Sequence, residues 1–466
     1  MNSLCRAVAA ATFAILLPAG AGAQDLPADV RSAIDKAAAE VLQATGAPSA
    51  SVAVVRDGKV VYVNAYGKAS IDPPVNATPA MRYSIGSISK QFTAAAVLLL
   101  AEDGTLSLDD TIARWLPDLT RANDITLRQV LSMTSGYQDF WPQDYVMPAM
   151  MLPTNVQHIM NGWAKIPLDF EPGTKWQYSN TNYVIAGASV EQASGMPLFE
   201  FLQKRVFARL GMKTVVNTDE AALGPGDPMR YLRYAIGPPR PAPKEGRGWM
   251  FAAGELAMTA RDLALWDIST IDQTVLKPAS YQVMQTNTLL KNGLATGYGL
   301  GVQVASANGR RTVSHSGEVS GFTAQNTIYP DDRAAVVVLT NIDASGASSE
   351  LAGKIATIVF KTTDKDADAA LAQAKAIFDG LQHRRIDRSL FTFNANAYFH
   401  DFALGDFAAA LGPLGVPQEF AQTNQSLRGG MVARSFRIKC GTQTLRLTTF
   451  TMPDGKLEQY QIAATE

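Results

Sequence analysis

Apolar side chains recur at Val30, Ile34, Ala37, Ala38 and Val41, so Asp25 to Thr45 reads as an amphipathic helix that Gly46 stops. The period then changes. SASVAVVRDGKVVYVNAYG holds two β-rich runs around Asp57-Gly58, a strong signal for a tight hairpin. A nearly unbroken apolar helix is predicted next, from about Ser87 to Glu102, halted by Asp103-Gly104. From Leu106 to about Asp272 the pattern is helical and loop-rich, with ITLRQVLSMTSG, NYVIAGASVEQASG, PLFEFLQKRVFARLG and TARDLALWDIST as short helices. Within it, GPGDPMRYLRYAIGPPRPAPKEGRG is a Pro/Gly-rich surface excursion. Strand character returns in GYGLGVQVAS, RRTVSHSG, FTAQNTIYP and AAVVVLTN, with turns at Asn308-Gly309 and Pro330-Asp331-Asp332. The helix ASSELAGKIATIVFK closes this part.

Short turns between the late strands favour an antiparallel sheet. The fold class expected is therefore α+β: a sheet flanked by terminal helices, with a helical subdomain at about residues 105–275 inserted between its halves. A cleft is expected where sheet and subdomain meet. Residues 362–370 (TTDKDADAA) read as a polar linker, bounding one domain at residues 24–361 and a second unit at residues 371–466. The second unit has helix-like ALAQAKAIFDGLQHRRI and ANAYFHDFALGDFAAALG, then strands GGMVARSFRIKC, GTQTLRLTTFTM and KLEQYQIAA. Its order loosely resembles ketosteroid-isomerase-like domains, without a specific motif. Ligand binding, homodimerisation and capping of the cleft all remain open to it.

Composition narrows the function classes. At 466 residues and 47 % hydrophobic, the chain has material for two or three domains with a sizeable core. A net charge of -1 argues against a nucleic-acid partner and against a polybasic membrane patch. Residues 1–23 read as a signal peptide: Arg6, an apolar stretch from Ala7 to Leu17, and Ala21-Gly22-Ala23 as the cleavage site. An uncleaved anchor is the competing reading. A periplasmic or secreted protein beginning near Gln24, with no later membrane span, is expected. Cys440 would then stand alone, packed in a strand, with no internal disulfide.

Ser87 and Lys90 sit three apart where the apolar helix begins, a spacing that puts both on one helix face. Ser87 could simply cap the helix. It could also be a nucleophile whose proton Lys90 takes. Burial among apolar neighbours would lower the lysine's pKa toward useful base strength. The helix N-terminus suits a developing oxyanion. No Gly-x-Ser-x-Gly elbow competes, none of the four histidines has the context of a base paired with serine, and no motif argues for a metal or phosphate loop. Even so, Ser-x-x-Lys alone is weak, since about one match is expected by chance in a chain this long.

Two further stretches strengthen it. WQYSNTNYVIAG carries Tyr178-Ser179-Asn180 before a helix, and TVSHSGEVSGF carries His315-Ser316-Gly317 at the end of a strand. With Ser87 and Lys90, this ordered trio resembles the penicillin-recognising serine hydrolases: class C β-lactamases, DD-peptidases, D-aminopeptidases and related esterases. The resemblance covers roughly Asp25 to Lys361. It implies an acyl-enzyme on Ser87, with Lys90 hydrogen-bonded to it and to Tyr178. It implies that Tyr178, acidified by nearby cations, is general base and then acid. Asn180 would bind Lys90 and the substrate amide, and His315 would polarise Tyr178 or meet a substrate polar group. Gly317 belongs to the third motif, and the N–H groups of Ser87 and Glu318 would form the oxyanion hole. Trp163, Trp176 and Trp249 are candidates for an acyl pocket, with core packing as the alternative. His158, His383 and His400 read as surface or packing residues.

The third motif departs from the lysine of true lactamases. Histidine is mostly neutral at pH 7, so a penicillin carboxylate would find no permanent cation there. A peptide, amide or ester is the expected substrate, without metal or cofactor. A true β-lactamase and a non-catalytic penicillin-binding sensor are the alternatives.

Overall fold

The computed structural model describes residues 26–307, 309–360 and 366–465; residues 1–25, 308, 361–365 and 466, which include the expected signal peptide and the first part of the expected linker, lie outside them. Helix α1 (Ala28–Thr45) ends where Gly46 turns left-handed and its N–H donates to Leu42 O. Strands β1 (Ser49–Arg56) and β2 (Lys59–Ser70) form the hairpin. Asp57 (φ 53°) and Gly58 (φ 72°) both adopt the positive φ that a tight two-residue turn requires. The other strands of this sheet are β3 (Val75–Asn76), β4 (Gln303–Ala307), β5 (Arg310–Val319), β6 (Phe322–Tyr329) and β7 (Ala334–Thr340). They assemble in the order β3-β2-β1-β7-β6-β5-β4, antiparallel at every pairing.

Both faces of the sheet are covered, which explains why the central strands read as apolar runs. In β1, Ala50, Val52 and Val54 enter one core and Ala53 and Val55 the other. In β7, Ala334, Val336 and Val338 alternate in the same way with Ala335, Val337 and Leu339. One core includes α1 and α5 (Ala347–Val359). The other includes α2 (Ser89–Glu102), α3 (Asn180–Ser194) and α4 (Ala260–Asp272). Helix α2 is buried from Ser89 to Leu100 on every side, as a helix apolar all round must be.

The inserted region is less purely helical than its sequence pattern suggests. Tyr83–Ser84, Val216–Asn217 and Leu256–Met258 form a small sheet, and Tyr231–Leu232 pairs with Arg240–Pro241 inside the Pro/Gly-rich excursion. Runs this short leave no periodicity to read.

The chain divides into two compact units, one ending at Phe360 and one beginning at Lys361. The second has helices α6 (Ala367–Gln382), α7 (Phe393–Tyr398) and α8 (Asp401–Leu411), then strands β8 (Glu419–Arg428), β9 (Met431–Cys440), β10 (Gln443–Thr451) and β11 (Leu457–Ala464). These four strands form one antiparallel meander. Strand β8 is one more than the pattern predicts. Its EFAQTNQSLR is mostly polar, with Phe420 packed against Phe378 and Phe436, and it pairs with β9 between Glu419↔Lys439 and Arg428↔Met431. Cys440 is buried at the end of β9, and burial pushes its thiol up.

Candidate active site

Ser87 lies in a 3-10 turn, Gly86–Ile88, that leads directly into α2. Its side chain makes no capping bond, so the capping reading fails. The turn is held from behind: Ile85 N–H donates to Leu256 O at 3.0 Å, and Leu256 N–H donates to Ser89 Oγ at 3.2 Å. Across from it runs the end of β5. Pairing with β4 stops at Ser314, which leaves the last residues of that edge facing the turn.

Two glycines allow the approach. A Cβ on Gly86, which holds φ +51°, would stand 2.6 Å from Glu318 N; one on Gly317 would stand 1.9 Å from Ile85 O. Gly317 is therefore the point where strand and turn touch, and it is not among the residues lining the pocket. The expectation that it binds substrate gives way to this packing role. Ser87 N lies 3.4 Å from the same hypothetical Cβ, which places the Ser87 N–H beside the third motif.

Lys90, one turn into α2, is fully buried. Its Nζ lies 2.9 Å from Ser87 Oγ, 2.8 Å from Asn180 Oδ1 and 2.8 Å from Ala253 O. Burial lowers its pKa to about 7, with the charge of Asp139 opposing the fall. Asn180 opens α3, and Ser179 ahead of it is extended. Asp139 fixes Asn180 twice. Its Oδ1 accepts the Asn180 backbone N–H at 2.9 Å, and its Oδ2 accepts from Nδ2 at 3.3 Å. The side-chain bond turns Asn180 Oδ1 toward Lys90. Asp139 is a site residue that the motifs missed: it stands in SGYQDFW, where nothing in sequence marks it.

Tyr178 precedes α3, and Lys90 Nζ stands 5.0 Å from its ring centroid. The hydroxyl, amine and phenol thus converge. One expectation is overturned, because burial pushes the Tyr178 phenol up and the nearby cation does not acidify it. Ser87 lies near enough to pull that pKa slightly back, yet Tyr178 Oη has no hydrogen-bond partner of ordinary geometry.

His315 also differs from expectation. Its Nδ1 lies 2.5 Å from Ser316 O and its Nε2 lies 2.9 Å from Tyr298 Oη. A carbonyl only accepts, so Nδ1 carries the proton and Nε2 accepts from Tyr298. Both nitrogens are engaged within the protein, so neither is directed at Tyr178. Burial, aided by the charge on Lys90, drives its pKa down to about 3, so the ring is neutral. Tyr298, in the unremarkable GYGLG, is its missed partner.

Ser87, Tyr178, Asn180, His315 and Glu318 all line one pocket of about 570 Å³. The tryptophans divide: Trp176 and Trp249 line it, while Trp163 packs behind, its ring centroid 6.4 Å from that of Trp249. The charged lining consists of Asp139, Asp144, Glu318 and Asp343, with no lysine or arginine among the described residues. His383 and His400 lie in the second unit and His158 against Trp163 and Trp249, none of them lining this pocket. The described residues contain no group of three or more potential metal ligands.

The Beta-lactamase family model matches residues 34–358, and the chain belongs to that family. A D-aminopeptidase from Brucella anthropi is 29% identical over 347 residues, covering 72% of this chain and 64% of its own length. A D-aminopeptidase from Brucella canis is 27% identical over 315 residues, covering 65% of this chain and 58% of its own. The chain thus spans about three fifths of the length of these relatives. Among solved structures, D-amino acid amidase from Ochrobactrum anthropi SV3 with D-phenylalanine superposes with a TM-score of 0.63 at 24% identity, over 71% of this chain and 99% of that one. An octameric penicillin-binding protein homologue from Pyrococcus abyssi superposes with a TM-score of 0.60 at 21% identity, over 94% of this chain and 96% of that one. No helix of the described residues is long and apolar enough to cross a membrane.

Proposed function

We propose that the protein is an exported serine hydrolase that cleaves the amide bond of a D-amino-acid amide or short peptide through an acyl-enzyme on Ser87. The hydrogen-bond set of Lys90 carries this reading. Asn180 Oδ1 and Ala253 O can only accept, so a neutral Lys90 commits both N–H bonds to them. Its lone pair then faces Ser87 Oγ at 2.9 Å. With a pKa of about 7, roughly half of the lysine is uncharged at neutral pH.

In the first step the Ser87 proton passes to Lys90 Nζ as Oγ bonds the carbonyl carbon. The oxyanion that forms is met by the N–H groups of Ser87 and Glu318. Tyr178, kept protonated by burial, acts as the acid: its phenol proton goes to the leaving nitrogen and is replaced from the Lys90 ammonium. Water then attacks the ester carbon as neutral Lys90 takes its proton; the bond to Ser87 Oγ breaks, and Oγ takes that proton from the Lys90 ammonium. The substrate class is supported by the named activities of the relatives and by the pocket, which offers no cation to a β-lactam carboxylate among the described residues. The leader pattern supports export.

Ser87→Ala is expected to abolish labelling by a fluorophosphonate and turnover of D-amino-acid amides. Labelling that persists at another residue refutes the nucleophile. Cephalosporin turnover at about 10⁶ M⁻¹s⁻¹, typical of good enzymes, refutes the substrate class.

A further inference from the structure

Three of the four carboxylates lining the pocket lack a cationic partner. Asp139 works against Lys90, but Asp144, Glu318 and Asp343 form no ion pair among the described residues. Glu318 Oε1 accepts from Ala344 N–H at 2.6 Å, and Asp343 Oδ2 accepts from Gly321 N–H at 3.1 Å. Arg230 and Lys244 act on Glu245 behind this wall and line no part of the pocket. Burial and then mutual repulsion keep the wall short of compensation. Asp343 is pushed up to about 6 by burial, with Glu245 adding to the rise. Glu318 is raised by burial and then by the charges of Asp144 and Asp343.

Ser320 gives an independent observation at the same place. It lines the pocket and is 7% exposed, its N–H donates to Glu245 Oε1 at 2.8 Å, and its hydroxyl has no hydrogen-bond partner. That hydroxyl keeps its hydrogen-bonding capacity unspent at the pocket wall.

We propose that Asp144, Glu318, Ser320 and Asp343 form a subsite for a positively charged group of the substrate, an ammonium or guanidinium carried apart from the scissile bond. The proposal rests on the hydrolase reading for the identity of the pocket, and it narrows the substrate to cationic amides and peptides. The carboxylates supply charge-assisted acceptors, and the Ser320 oxygen accepts one further N–H.

The test is protection of the full-length enzyme against fluorophosphonate labelling by n-hexylammonium, compared with neutral 1-hexanol. The ammonium is expected to protect at about tenfold to a hundredfold lower concentration, the range of a charge-assisted hydrogen bond. The advantage should shrink in 1 M salt and fall severalfold in the double variant Asp144→Asn, Asp343→Asn. A general structural loss would weaken both ligands alike and leave their ratio unchanged. Equal protection by the two ligands overturns the subsite. So does an ammonium preference that survives undiminished in the double variant, which would place the cation away from Asp144 and Asp343. Should Ser87 take no label, the hydrolase reading is what has failed, and calorimetric titration of the same two ligands decides the subsite by the same ratio.

Discussion

At the scale of single residues, Asp139 governs the charge balance around the nucleophile. Burial alone would drive Lys90 toward permanent neutrality; the facing carboxylate opposes it and leaves the pKa at about 7. The same carboxylate orients Asn180 and accepts from Trp141 N–H at 3.1 Å. Asp139→Asn keeps an acceptor for the Asn180 N–H but removes the charge. Without that charge the Lys90 ammonium is less favoured, so its pKa falls. Lys90 is the base when neutral, and the acid limb of kcat/KM reports its pKa in the free enzyme. That limb is expected near pH 7 in the wild type and at lower pH in the variant. Neither His315, already neutral, nor Tyr178, still protonated, titrates in that window. A limb that stays put or moves to higher pH in the pH–rate profile would show that Asp139 does not set the lysine. Ser87, Lys90, Tyr178 and Asn180 were legible through short motifs that resemble those of a known family, and the fold brings them together. Asp139 and Tyr298 were not, because each acts through a partner about 40 or 17 positions away that only the fold brings near.

Among elements, the contact that matters most is between β5 and the turn ahead of α2. The strand delivers the Glu318 N–H and the turn delivers that of Ser87, so their separation sets the proposed oxyanion hole. Gly317 sets that separation, since any Cβ there runs into Ile85 O. Gly317→Ala is expected to lower stability by about 1–3 kcal/mol, the usual penalty for overpacking. It should slow fluorophosphonate labelling about a hundredfold, as small displacements of reacting groups do. Thermal denaturation and labelling rates check both; normal labelling in a destabilised variant would separate the contact from the chemistry. Elements were legible where burial imposes a period. The hairpin follows from its β-rich runs and the Asp57-Gly58 turn, and α2 and β7 follow from unbroken apolar runs. The mostly polar β8 and the two- and three-residue strands of the small sheet follow from pairing, which sequence periodicity does not record.

For the whole molecule, the family match and the proposed chemistry both fall within the first unit, at residues 34–358. That unit holds two cores, one on each face of the seven-stranded sheet, and both are drawn from residues before Lys361. The second unit has a core of its own, running from Ala374 to Tyr460 and including Phe378, Phe399, Phe436 and Leu447. The α+β class and the helical insertion were legible from the order of patterns; the role of the second unit was not, because it carries no motif. Since neither set of cores borrows buried residues from the other, cooperative folding should not require both. A chain spanning residues 24–360 is expected to unfold in a single cooperative transition and to label at Ser87 at the full-length rate. Separate calorimetric transitions in the intact protein, one of them matching the truncated chain, would agree with this independence. A truncated chain that folds but no longer labels would instead show that labelling depends on the second unit and overturn this independence.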